Sequence, residues 1–229
     1  MKYEILLFDA DETLFDFKKS EKTALQKAML EMNIAYNENY HLRVYQEINT
    51  AIWKEFEDGL IPQQRLKIER FRRFADQLKI QFNEAEFATS YMKHLANASF
   101  LLDQNLELIK SLHQEYRMAI ITNGLKDVQN TRIKKSPIGP YFEDIVISEE
   151  VEAAKPDPKI FEYALKHLGH TDKSKVLMVG DSLTSDIQGG INFAVDTCWF
   201  NPRRMVNQSA IQPTYQISQL MMLQKILRR

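Results

Sequence analysis

Residues 18–97 carry hardly any strand signal, and they lie between one short strand-like run at residues 4–8 (EILLF) and a long region of alternating texture. Within the block, "KTALQKAMLEM", "YHLRVYQEINTAIWKEFEDG", "PQQRLKIERFRRFADQL" and "NEAEFATSYMKHLA" each space apolar residues three or four apart, the period of an amphipathic helix. Gly59 and Pro62 fall in the middle, as a helix stop and the next helix start should. After residue 100 helices and strands take turns. "NLELIKSLHQEY" reads as helix, "RMAIITNG" as a buried strand ending in a turn, and "LKDVQNTRIKK" as helix. "FEDIVIS" reads as strand, "DPKIFEYALKHLG" as a helix with Asp157 as N-cap, "KVLMVGD" as strand, "SDIQGGINF" as a short helix and "DTCWF" as strand. "PTYQISQLMMLQKIL" closes the chain with a short strand and a helix. Such alternation predicts an α/β fold with a doubly wound, mainly parallel, Rossmann-like sheet. The expected domains are a core of residues 1–17 with 98–229, and an all-helical domain, 18–97, inserted after the first strand.

The chain has 229 residues, enough for a sizeable core, and its net charge of -1 provides no global field for a nucleic-acid polymer or an anionic membrane. An anionic substrate must therefore be met by a few local cations. A single cysteine, Cys198, excludes an internal disulfide and a multi-cysteine zinc site, and with no visible secretory signal it predicts a cytoplasmic protein. No apolar run approaches the roughly 20 residues needed to span a bilayer. The basic C-terminus "LMMLQKILRR" is expected to be a last helix packed on the core rather than a membrane-surface helix.

In a doubly wound sheet, ligands bind at the carboxyl ends of the strands, at the point where strand order reverses. Those ends carry a particular set of residues here. The first strand finishes in Asp9-Ala10-Asp11 and the second in Thr122-Asn123-Gly124. Lys155-Pro156-Asp157-Pro158 precedes a helix, and a later strand ends in Gly180-Asp181, with Asp186 five residues on. Taken singly, each piece has an ordinary explanation as a turn, a cap or a solvated surface residue. Taken together they imply chemistry. Converging carboxylates repel unless a hard divalent cation lies among them, and Mg2+ favours carboxylates together with substrate phosphate. A lysine and a threonine hydroxyl can bind the remaining oxygens, with help from backbone N–H groups opening the helix after Gly124. The expected ligand is a phosphoryl group.

The order DxD, strand-end Thr, Lys-Pro and GDSxxxD resembles the haloacid dehalogenase superfamily, across essentially the whole chain. "DADETLFDF", "ITNG", "AAKPDP", "VGDSLTSDIQGG" and "DTCWFNP" resemble more closely its pyrimidine 5′-nucleotidase branch. The resemblance implies that residues 18–97 are the cap domain. It implies Asp9 as nucleophile and Asp11 as general acid and then base. Thr122, Lys155 and Asn123 would bind phosphate, with Ser182 a further residue near it. Asp9, Asp11 (through its carbonyl), Asp181 and Asp186 would bind Mg2+. The implied substrate is a small phosphorylated metabolite, a nucleoside monophosphate first. Within the superfamily, dehalogenases lack the second aspartate, so Asp11 argues against carbon–halide cleavage; a sugar-phosphate phosphatase or mutase stays open. From another class, a phosphoacceptor signalling module shares the acid cluster but carries its acceptor mid-sheet. Among aromatic residues that could stack on a base, Phe15 and Phe17, just after the catalytic loop, have the better claim, whereas Trp53 and Phe56 also fit helical core positions and are expected to pack there. Relatives often carry glycine where this chain has Ala194, which leaves the ending of the preceding helix open.

Overall fold

The computed structural model describes residues 2–102 and 105–228. In chain order the elements are β1 (Ile5–Phe8), α1 (Phe17–Glu31), α2 (Arg43–Glu57), α3 (Gln63–Leu78), α4 (Glu84–Ala96), α5 (Asn105–Leu112), β2 (Arg117–Thr122), α6 (Lys126–Lys134), β3 (Asp144–Ile147), α7 (Ser148–Val151), α8 (Pro158–His167), β4 (Val176–Gly180), α9 (Gln188–Phe193), β5 (Asp196–Phe200), β6 (Tyr215–Ile217) and α10 (Leu223–Leu227). They form two compact units, Met1–Phe17 with Ser99–Arg229, and Lys18–Ala98.

The first unit is built on a six-stranded sheet in the order β3-β2-β1-β4-β5-β6, and every pairing is parallel. The inner strands are continuous apolar runs because helices cover both faces. Strand alternation sorts the side chains: Leu6 and Phe8 face one core with Met118, Ile120, Leu177 and Val179, while Ile5 and Leu7 face the other with Ala119, Ile121, Val176 and Met178. Each fully buried Leu, Ile, Val, Phe or Met among them contributes about 1.5–3 kcal/mol. From β1 the chain winds outward one way through β2 and β3, then returns to β4 beside β1 and winds the other way. The switch point therefore lies between β1 and β4. Phe8 is in register with Ile120 and Val179, so the residues that follow all three emerge together.

Two helix ends matter to the site. Asp157 caps α8, accepting from the Lys159 N–H at 2.9 Å, with Pro158 as the first helical residue. The predicted "SDIQGGINF" helix begins instead as a turn of π-helix, Leu183–Ile187, that runs into α9. Ala194 ends α9 in the left-handed region, φ 62°, with its N–H on Ile191 O and Val195 N–H on Gly190 O. The helix thus closes as glycine would close it, at the steric expense of a Cβ. Leu223 and Leu227 of α10 are buried in the sheet's core, and among the described residues no helix is long and apolar enough to cross a membrane.

The second unit holds α1 almost whole, with α2, α3 and α4. Its centre is aromatic: Tyr45, Phe71, Phe74, Phe87 and Tyr91 are all fully buried. The Arg70 guanidinium lies 4.8 Å from the Phe71 ring centroid and 5.0 Å from that of Tyr91. Trp53 and Phe56 pack edge to face, centroids 5.6 Å apart, against Ile52, Ile61 and Leu66. Gly59, φ 73°, follows the end of α2, and Pro62 is the N-cap of α3.

Candidate active site

Asp9 is the residue after β1, its N–H donating to Val179 O at 2.9 Å, which anchors it at the switch point. Its carboxylate Oδ1 accepts from Lys155 Nζ at 2.6 Å. The same ammonium lies 2.7 Å from Asp186 Oδ1 and donates to the Ile121 carbonyl at 2.7 Å. Lys155 is 2% exposed and Asp186 1% exposed, so these charges face one another with little water between them. Burial alone would lower the Lys155 pKa, but Asp186 and Asp9 outweigh it and hold the ammonium above the ordinary lysine range.

Asp181 follows β4 directly. Oxygens of Asp9, Asp181 and Asp186 lie within 4.8 Å of one another. Burial, then the charges of Asp9, Asp186 and Glu12, push the Asp181 carboxyl up to about 9. Burial likewise pushes Asp9 up to about 7, against the pull of Lys155 and with the push of Asp186 and Asp11. Three carboxylates against one ammonium leave two formal negative charges, which a hard divalent cation would offset; the all-oxygen donor set suits it.

Local structure explains how Asp186 and Lys155 are held. The Ser182 N–H donates to Asp186 Oδ2 at 2.9 Å, while the Ser182 hydroxyl accepts from Ser185 N–H at 3.2 Å. Asp186 is thus fixed as part of a reciprocal helix cap. A Cβ on Gly180 would overlap that carboxylate, so glycine is required at the end of β4. Asn123 spans the backbone of Lys155, its Nδ2 donating to Lys155 O and its Oδ1 accepting from Lys155 N–H, each at 2.8 Å. The Lys155-Pro156 peptide is cis.

Asp11 stands in a different setting. After it the chain folds back, with Leu14 and Phe15 N–H groups both on Ala10 O and Glu12 at φ 62°. Asp11 Oδ2 accepts from Gln129 Nε2 at 2.7 Å, and Oδ1 accepts from Arg132 Nη2. Gln129 Nε2 also reaches Thr122 Oγ1 at 3.1 Å. The two aspartates of the DxD pair are therefore served by separate partners, Asp9 by a lysine and Asp11 by an amide and an arginine.

The chain matches the haloacid dehalogenase-like hydrolase family over residues 3–193. It is 36% identical over 230 residues to the pyrimidine 5′-nucleotidase YjjG of Escherichia coli (strain K12), covering 99% of each chain. It is also 36% identical to the pyrimidine 5′-nucleotidase PynA of Streptococcus pneumoniae, covering 95% of this chain and 92% of that one.

The chain belongs to the haloacid dehalogenase-like hydrolases.

The crystal structure of the HAD-hydrolase YfnB from Bacillus subtilis, bound to magnesium, superimposes with a TM-score of 0.94 at 33% identity, covering all of both chains. This haloacid dehalogenase-like hydrolase is a phosphoric monoester hydrolase, in keeping with its DxD pair and these relatives.

The structure brings Asp9, Lys155, Asp181 and Asp186 together, and it sets Thr122 and Asp11 on a common partner, Gln129. Sequence reasoning missed Gln129, Arg132 and Trp199, whose Nε1 donates to the Asp181 carbonyl at 2.8 Å. The one available signal for the first two was their three-residue spacing on α6, directly after the strand-end threonine. Phe15 is fully buried, and Arg132 covers its ring with a 5.1 Å separation, so it is not placed to stack on a base.

Proposed function

We propose that this hydrolase is a Mg2+-dependent phosphomonoesterase that works through a phosphoaspartate on Asp9, with pyrimidine nucleoside 5′-monophosphates as its substrates. The observation that carries the reading is the division of labour within the DxD pair. Asp9 lies among a lysine and two further carboxylates, and Asp11, two residues on, lies on donors of its own.

In the first half-reaction an Asp9 carboxylate oxygen attacks phosphorus in line, forming an acyl phosphate as the ester P–O bond breaks. Asp11 gives its proton to the departing alkoxide. In the second, Asp11 takes a proton from water, the water oxygen attacks phosphorus, and the Asp9 carboxylate leaves with its charge restored. Lys155 and Thr122 bind the non-bridging phosphate oxygens; Asn123, which also holds the Lys155 backbone in place, adds a donor beside them. Mg2+ held by Asp9, the Asp11 carbonyl, Asp181 and Asp186 would offset the charge between nucleophile and phosphate. Residues 18–97 serve as the cap domain, and a buried, unpaired Cys198 accords with a cytoplasmic setting.

The test is a phosphate-release panel with Mg2+ over nucleoside 5′-monophosphates and sugar phosphates. Uridine and thymidine 5′-monophosphates are expected to head it. Preference for a sugar phosphate would overturn the nucleotidase assignment, and isomerised sugar phosphate without net phosphate release would replace hydrolysis with a mutase.

A further inference from the structure

Resting on the phosphatase reading above, we propose that Gln129 and Arg132 are positioning residues that fix Asp11 for proton transfer and Thr122 for phosphate binding at the same time. Gln129 is 1% exposed and its Nε2 donates to both, at 2.7 Å to Asp11 Oδ2 and 3.1 Å to Thr122 Oγ1. Its amide has one usable orientation, because Oε1 accepts from Arg132 Nη2 at 2.8 Å. A flipped amide would set its oxygen against the Asp11 carboxylate and its NH2 against the guanidinium.

Arg132 is fully buried, and its guanidinium centre lies 5.1 Å and 5.6 Å from the Phe15 and Phe17 ring centroids, which hold its plane. Its Nη2 serves both Gln129 Oε1 and Asp11 Oδ1, whereas its Nε and Nη1 make no hydrogen bond to the described residues. What the buried arginine secures is therefore the Asp11–Gln129 pair.

Two consequences follow for the reacting groups. Thr122 Oγ1 accepts from Gln129 Nε2 and from the Gly124 N–H at 3.1 Å, which occupies both its lone pairs. Its own proton is then directed elsewhere, as donation to a phosphate oxygen requires. Each Asp11 oxygen accepts one bond from this pair and keeps a further acceptor position, so a proton can be carried there while the carboxyl plane stays fixed. Gly124 is an independent mark of the same arrangement. A Cβ there would overlap the Gln129 side chain, so the turn after β2 leaves room for that glutamine.

The test compares kcat/KM, with Mg2+, for p-nitrophenyl phosphate and uridine 5′-monophosphate. The first leaving group departs without protonation and the second needs it. Gln129→Leu is expected to lose roughly ten- to a hundredfold more with the nucleotide than with the nitrophenyl ester. A smaller loss common to both esters should accompany it, through Thr122. Arg132→Met should behave likewise, Arg132→Lys should recover part of the nucleotide activity, and Gly124→Ala should reproduce Gln129→Leu by displacing the side chain. In an Asp11→Asn background, Gln129→Leu should add no discrimination between the esters. Equal losses on both esters in a variant that melts like the parent would overturn the inference, as would discrimination that persists without Asp11. A parent inert on both esters would refute the phosphatase reading itself, and this one with it.

Discussion

Replacing Lys155 with methionine keeps most of the side-chain volume and removes one charge, so packing changes little. What is lost is specific. The ammonium is 2% exposed and meets Asp9, Asp186 and the Ile121 carbonyl at 2.6, 2.7 and 2.7 Å. Removing one partner of a buried ion pair costs about 3–5 kcal/mol. An orphaned buried carbonyl adds on the order of 1–3 kcal/mol. These contributions share a donor and do not add, and protonation of the carboxylates relieves part of them. We expect Lys155→Met to be about 3–5 kcal/mol less stable near pH 8 without metal.

The deficit should depend on pH with a definite sign. Burial, with Asp186 and Asp11 helping and Lys155 opposing, pushes the folded Asp9 carboxyl up to about 7. A pKa raised on folding stabilises the protein at low pH and loses that contribution as pH rises through the folded value. Without the lysine the Asp9 value rises further, so the variant loses protons later and falls behind the parent above neutrality. The gap should widen by up to about 1.4 kcal/mol per pH unit over that window. Urea unfolding with chelator at about pH 6 and about pH 8 measures it, with fluorescence of the buried Trp199 as one reporter. A variant as stable as the parent near pH 8, or a deficit that shrinks as pH rises, would refute Lys155 as the compensating charge.

Two further substitutions probe the frame around the site. Gly180→Ala forces a Cβ into the Asp186 carboxylate and should weaken Mg2+ binding by roughly tenfold or more, read by calorimetric titration. Ala194→Gly relieves a left-handed residue at the end of α9. It should stabilise the protein by about 1 kcal/mol, raising its melting midpoint by about 2–4 °C, with turnover unchanged.

Much of the sheet was legible because buried parallel strands are continuous apolar runs, which makes polar residues at their ends conspicuous. Asp9, Thr122 and Asp181 stand out for that reason. Gln129 and Arg132 did not, since two polar residues three apart on a helix look like a solvated face until tertiary packing buries them. Asp186 combined two readings, a helix-capping acid and a member of the acid cluster, which spacing cannot separate. The π-helical turn at Leu183–Ile187 was equally hidden, because one extra residue in a turn barely alters the apolar pattern. For Asn123, turn chemistry and phosphate contact were both plausible in sequence; its bonds to Lys155 appear only once the two loops are brought together.

The most direct measurement of the central claim is phosphate release from uridine 5′-monophosphate by the parent and by Asp9→Asn, each with Mg2+ and with chelator. The account predicts turnover by the parent that chelation abolishes, and none by the variant, whose amide cannot take the phosphoryl group. An Asp9→Asn protein that turns over like its parent, or activity that survives removal of the metal, would contradict it.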